Sequence, residues 1–414
     1  MQTTRYWNAL YSASNPLAEL QPLRRISSFP STRPIILLLA ALIIGATGEL
    51  RAEEESSPKA PKTPRPALQI INASAEPIDV IWIDGSNRRK IETVDAGGDK
   101  VIATTIGHRF EIVPQDSSAK ADVVSKCLIQ GFRFDPSAKD GVPKFYTQTA
   151  SAGGFPVVAS ETVNPFALQE AVYLLNQMLR EREDVRQALI DSGARLCIIA
   201  HDEFTTDLPE FAHMGNSPVP GFPGLSPKDF WDARARGTGG SPTDPFCSCG
   251  EENLLAYEGD PYHQESILIH EFAHCIHLRG MANVDPTFDD RLRETYEEAM
   301  KAGLWAGKYA SVNHHEYFAE GVQSWFDNNR ENDLEHNHVN TRDELLEYDP
   351  KLAAMCREVF GSTNIAYTKP TTRLRDHMAG YNPATAPKFR WPERLEHAKI
   401  AIRKAAQERA DKAK

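Results

Sequence analysis

The sequence predicts an α+β protein: a small N-terminal β-sandwich followed by a mostly helical domain with a small sheet. Three observations carry this. Residues 67–114 hold short runs rich in Ile and Val, "ALQIINAS", "IDVIWIDG", "KVIATTI" and "FEIVP", separated by the turn sequences "DGSN" and "AGGD", which is the pattern of several short strands. From about residue 160 the apolar residues Phe166, Leu168, Val172, Leu175 and Leu179 recur every three or four positions, so a helix there can bury one face. Lastly, "SILIHEFAHCIH", Ser266 to His277, sets three histidines and one glutamate in an otherwise uncharged run.

The chain of 414 residues, 41% hydrophobic, is long enough for two domains, each with its own core. Its formal net charge of −11 and its lack of a long block of like charge argue against nucleic acid and against non-specific binding to anionic lipid. Residues 35–46, "IILLLAALIIGA", follow Arg24, Arg25 and Arg33 and precede the small residues of "TGELRA". The run is shorter than the roughly 20 residues that span a bilayer and fits a secretory signal; a short membrane anchor is the alternative. The expected location is therefore secreted, periplasmic or at the cell surface. Residues 1–52 are read as signal and 53–66, "EEESSPKAPKTPRP", as a linker. The sandwich then spans 67–125, the second domain 126–370, and a helical extension 371–414.

Within the second domain, "NPFALQEAVYLLNQML" opens on Asn164 as N-cap and Pro165 at the first helical position. "DVRQALIDSG" reads as a second helix and "ARLCIIA" as a buried strand. Residues 212–250, rich in Pro, Gly and Ser, read as a long ordered loop or disorder. Helices are expected near 288–303 and 314–327. "TRDELLEYDPKLAAMCREVF" starts on a capping box from Thr341 to Glu344. Six cysteines lie beyond the signal, and "CSC" at 247–249 is too tight for a zinc knuckle; a disulfide from it to a distant cysteine is expected.

On an α-helix His270 and His274 stand about 40° apart, one turn from each other on one face, and two imidazoles so placed can grip one ion. Zinc takes three protein ligands and water at a catalytic site. Glu271, beside the first histidine, can take the proton of that water. The apolar neighbours strengthen this reading, because two histidines and a carboxylate are costly to bury without partners. His277 falls about 20° from His270; it can displace one of the pair, or serve the core or the outer shell of the site. Cys275 points away and is expected to pack in the core. Downstream, in "KYASVNHHEYFAEGVQSWF", Glu316 can supply the third ligand. Glu320, one turn on, can accept a hydrogen bond from a ligand histidine. The alternatives are a capping box of Asn313 with Glu316, or a solvated helix edge, which the neighbours Tyr317, Phe318, Val322, Trp325 and Phe326 argue against. The hydroxyl of Tyr309, seven residues before Glu316, can donate to an oxyanion.

"HEFAH" followed by "YASVNHHEYFAE" resembles the gluzincin peptidases, and most closely the catalytic domain of the anthrax lethal factor group. The resemblance implies a zincin-like fold with one catalytic Zn2+ held by His270, His274 and Glu316. It also implies Glu271 as the base, Tyr309 as the transition-state tyrosine, Glu320 behind the ligands, and a peptide or protein as substrate. It covers about 60 residues closely and 160–365 more loosely. By the same analogy a strand beside the cleft pairs with substrate; "ARLCIIAHDEF" is the candidate, and the loop 237–256 a candidate rim. Residues 67–114 are similar to the von Hippel-Lindau β-domain, with landmarks at Asn72, Trp82, Gly107 and His108. That likeness implies a sandwich that can bind a protein ligand. Two other readings stay open: a zinc hydrolase acting on a non-protein amide such as a cell-wall component, and a binding protein that uses the zinc domain as scaffold.

Overall fold

Alternation of apolar and polar residues builds the first part of the molecule. The computed structural model describes residues 64–116, 119–363 and 365–412; the expected signal and nearly all of the expected linker lie outside them. In β2 (Ile78–Asp84) Ile78 and Val80 are buried, while Asp79 between them and Ile81 after them are part-exposed. That strand pairs with β3 (Asn87–Val94) on one side and β5 (Arg109–Pro114) on the other, and β6 (Ala121–Val124) completes a four-stranded antiparallel sheet. A second sheet centres on β1 (Ala67–Asn72), antiparallel to β4 (Asp99–Ala103) and parallel to β7 (Ile129–Phe134). Leu68, Ile70, Ile78, Val80, Val94, Phe110, Ile112, Val123 and Phe134 form one core between the two sheets. The first sheet-forming unit therefore runs to 134 rather than 125, because β7 pairs along the whole of β1. Asn72 donates to the carbonyls of Glu76, Val94 and Asp95, and Trp82 packs on His108.

The rest is a five-stranded sheet with helices around it, making the molecule α+β. β8 (Gln148–Ala152) and β9 (Phe155–Ala159) form a hairpin whose turn, Gly153–Gly154, has positive φ at both residues, the backbone a two-residue hairpin turn needs. β10 (Arg195–Ile199) is parallel to β9, and β12 (Phe246–Gly250) is parallel to β10; the short β11 (Gly237–Thr238) closes the edge antiparallel to β12. β10 and β12 are buried at every residue, as interior parallel strands are. Residues 212–250, expected as loop or disorder, thus hold two strands and a helix. The expectation failed because "FCSCG" lacks β-branched residues, yet its Phe and Cys side chains and small Ser and Gly fit a strand covered on both faces.

Between β9 and β10 run α1 (Pro165–Met178), capped by Asn164 through Phe166 N at 3.1 Å, and α2 (Glu183–Asp191). Then follow α3 (Pro227–Arg234), α4 (Ile267–Cys275), α5 (Phe288–Lys301) and α6 (His314–Trp325). The capping box on Thr341 and Glu344 opens α7 (Arg342–Tyr348). The expected single helix breaks there, since Pro350 lacks an N–H and opens α8 (Pro350–Phe360), capped by Asp349. α9 (Glu396–Lys412) ends the described chain. It does not stand apart: Leu395 and Ala398 pack with Phe204 and Ala233, and Arg394 pairs with buried Asp232 at 2.7 Å. All six cysteines are buried free thiols, so the disulfide expected from the "CSC" segment is absent; Cys247 and Cys249 serve as core of β12 instead.

Candidate metal centre

Helix α4 is apolar on nearly every side, with Ile267, Leu268, Ile269, Phe272, Ala273 and Cys275 buried. Its first turn is anchored by side chains: Ile267 N–H donates to Asn253 Oδ1 at 2.8 Å and Ser266 N–H to Asn328 Oδ1 at 2.6 Å. Those bonds satisfy donors that a helix start leaves open. α6 begins at Asn313, whose Oδ1 accepts from the N–H groups of His315 and Glu316. Of the capping box weighed as the alternative for Glu316, only this half forms. The Glu316 carboxylate turns instead toward α4.

There three atoms converge. Glu316 Oε2 lies 3.1 Å from His270 Nε2 and 3.2 Å from His274 Nε2, and the two Nε2 atoms are 3.3 Å apart. Bonds of about 2.0–2.1 Å in tetrahedral geometry place ligand atoms about 3.3 Å from one another. The triangle therefore has the edge length of one face of a zinc coordination tetrahedron. The donor set, two imidazoles and a carboxylate, is also that of a catalytic zinc site. All three residues are buried.

The hydrogen bonds behind the triangle fix which nitrogen faces inward. Gln323 donates Nε2–H to Glu265 Oε2 at 2.9 Å, which orients its amide oxygen toward His270 Nδ1 at 2.8 Å. An amide oxygen accepts only. His270 thus keeps its proton on Nδ1 when the ring is neutral, and the Nε2 that then carries the lone pair faces the centre. Glu320, expected in this role, lies 3.6 Å from His270 Nδ1, beyond a hydrogen bond. It accepts instead from Asn329 Nδ2 at 2.9 Å and faces His336 Nε2 at 3.4 Å, and so acts on the site as a nearby charge. Gln323→Leu is expected to weaken zinc affinity by about 10–100-fold with the fold retained, read by competition against a chelating dye.

The field at the centre favours a cation. Burial opposes a charge on the His270 ring, but its hydrogen bond to Glu316 and the carboxylates of Glu271, Glu316 and Glu320 outweigh it and push the ring up to about 10. Burial likewise raises Glu316, yet the two histidines hold its carboxyl well below the usual range. Glu271 is raised by burial, against the pull of His270 and His274. No described residue hydrogen-bonds its carboxylate, and the side chain is only part-buried.

His277 is not part of the triangle. The segment Ile276–Met281 is a π-turn, whose wider hydrogen-bonding loop breaks the α spacing. His277 Nε2 instead meets Asp289 Oδ1 at 3.0 Å. Tyr309 does reach the site: its ring centroid is 6.1 Å from that of His270, and its hydroxyl accepts from Arg234 Nη2 at 3.1 Å.

Two glycines set the wall opposite. A Cβ at Gly237 would stand 2.5 Å from Ile267 Cγ2 and 2.8 Å from Glu271 Cγ, and one at Gly239 would stand 2.5 Å from His274 Cβ. Only glycine lets the segment of β11 lie this close to α4. Arg236, next in line, is fixed by a buried pair with Glu252 at 2.6 Å. The expected cleft strand, Ala194–Phe204, holds β10, which is paired on both edges; β11 is the edge strand on this side of the sheet. The expected rim loop 237–256 is thus the stretch that meets the site.

Gln323, Arg234 and the two glycines were not singled out from sequence. Gln323 carried a usable signal, since it lies two turns after Glu316, about 20° from it around the helix. No protein-family model matches this chain, and no curated protein is detectably similar to it.

Proposed function

We propose that the chain is an exported zinc-dependent endopeptidase of the gluzincin type, a zincin-like domain preceded by a small β-sandwich. The convergence of His270 Nε2, His274 Nε2 and Glu316 Oε2 at 3.1–3.3 Å carries the reading. A zinc ion bound there supplies Lewis acidity and brings the pKa of its water to about 7.

The chain's own groups do the rest. Glu271, beside the histidines, accepts a proton from water in the cleft and returns it to the leaving amine. The Tyr309 hydroxyl, held by Arg234, donates to the oxygen on which negative charge develops. Gln323 keeps the His270 lone pair aimed inward. β11 offers an unpaired edge next to Glu271, where an extended peptide can add as a further strand.

Tyr309→Phe is expected to lower kcat by about 100-fold while metal content and KM change little, as steady-state kinetics with a fluorogenic peptide will report. The reading as a whole is tested by metal analysis of the purified chain with digestion of a peptide library, run beside muropeptides. Zinc at one or more ions per chain with peptide cleavage that a chelator abolishes is the expected result. Cleavage of muropeptides alone would move the substrate class to a cell-wall amide.

A further inference from the structure

Outside the centre just described, three imidazoles gather about one carboxylate. Asp289, in the first turn of α5, accepts on Oδ1 from His277 Nε2 at 3.0 Å and faces His314 Nε2 at 2.9 Å. Its Oδ2 accepts from Arg293 Nη2 at 2.6 Å. His277 and Arg293 thus serve the carboxylate as donors. Yet His315 directs Nε2 at the same Oδ1 from 3.8 Å, too far for a hydrogen bond. Its ring makes no hydrogen bond to any described residue, although it is packed edge-on against His277, with centroids 5.3 Å apart.

We propose that Asp289, His314 and His315 form a second site for a divalent transition metal. One ligand atom from each lies within 4.8 Å of the others, and the Asp289–His314 edge is already shorter than the about 3.3 Å of tetrahedral zinc. His315 closes the set by a small ring movement, which its partial exposure of 20% permits. Coordination requires the His314 ring proton to sit on Nδ1, leaving Nε2 its lone pair. His277 remains behind the site as donor to Asp289, the outer contact that holds a ligand carboxylate in place. Two imidazoles and one carboxylate select zinc, copper or nickel over calcium or magnesium, which prefer all-oxygen sites. The side chains are 18–35% exposed, so the ion enters from solvent and water completes its shell. An ion here ties the start of α5 to the start of α6, one residue before Glu316.

The test uses the full chain, stripped of metal and titrated with zinc chloride alone, with bound metal measured per chain. Wild type is expected to hold two ions, His270→Ala/His274→Ala one, and His314→Ala/His315→Ala one. Zinc should also raise the melting temperature of His270→Ala/His274→Ala by about 3 °C. If His314→Ala/His315→Ala does not fold, Asp289→Asn in the His270→Ala/His274→Ala background keeps the side-chain shape and should cost at least about 10-fold in affinity. A His270→Ala/His274→Ala chain that binds no zinc overturns the second site and leaves the first intact. A wild-type chain holding one ion that only His314→Ala/His315→Ala removes overturns the first and upholds the second. No loss of affinity on Asp289→Asn also overturns the second.

Discussion

Glu271→Gln is expected to reduce peptide hydrolysis by about 1,000-fold or more while leaving bound zinc unchanged. Glutamine has nearly the same shape, so packing against Gly237, whose hypothetical Cβ would sit 2.8 Å from Glu271 Cγ, is preserved. What is lost is the ability to take a proton. General bases contribute about 100- to 10,000-fold, and Glu271 is suited to the task because its carboxylate is not tied up by any described hydrogen bond. Its acidity also suits the role. Burial raises its pKa, and the neighbouring histidines pull it back, which moves it toward the range of an effective base. The check is kcat/KM on a library-derived peptide, with metal measured on the same sample. Retention of more than a tenth of wild-type activity would exclude Glu271 as the base.

Glu316→Ala should weaken zinc binding by more than about 100-fold, a larger loss than removing an outer contact gives. The substitution removes one vertex of the triangle, and the two imidazoles left come from a single helix. It also removes the carboxylate that does most to stabilise positive charge on His270. For the same reason zinc affinity in wild type should rise with pH. A proton on His270 must leave before Nε2 can coordinate, and the carboxylates around it hold that proton up to about 10 in the metal-free chain. Competition titrations at pH 6 and pH 8 check the sign. An affinity for Glu316→Ala within tenfold of wild type would remove this residue from the ligand set.

Much of the centre was legible because it lies on helices, where spacing fixes direction. His270, Glu271 and His274 share one turn of α4, and the aromatic residues around Glu316 mark α6 as buried, so both faces could be inferred without coordinates. Four strands of the first two sheets, β1, β2, β4 and β5, were equally plain in their Ile and Val, while β3, β6 and β7 were not singled out. What stayed hidden depends on contacts distant in sequence. Arg234 reaches Tyr309 across 75 positions, and nothing in either neighbourhood points to the other. Gln323 and Glu320 stand about 60° apart around α6, and only the packing of α6 on α4 decides that Gln323 meets His270. β12 was missed because Cys, Ser and Gly carry no strand signal, and the edge strand β11 because it is only Gly237–Thr238; its value lies in the close approach to α4 that glycine allows. The second imidazole cluster needed α5 and α6 side by side before Asp289 could be linked to "HH".

The wide turn after α4 also bears on the proposed hydrolysis. In an unbroken helix His277 would follow His274 at the spacing of a second imidazole pair, and an ion would have two rival seats along the same groove. Its distance from Glu271 would then vary with the seat it took. With His277 Nε2 held by Asp289 Oδ1 at 3.0 Å, α4 keeps one imidazole pair for this ion, at a fixed separation from the group assigned to move the proton.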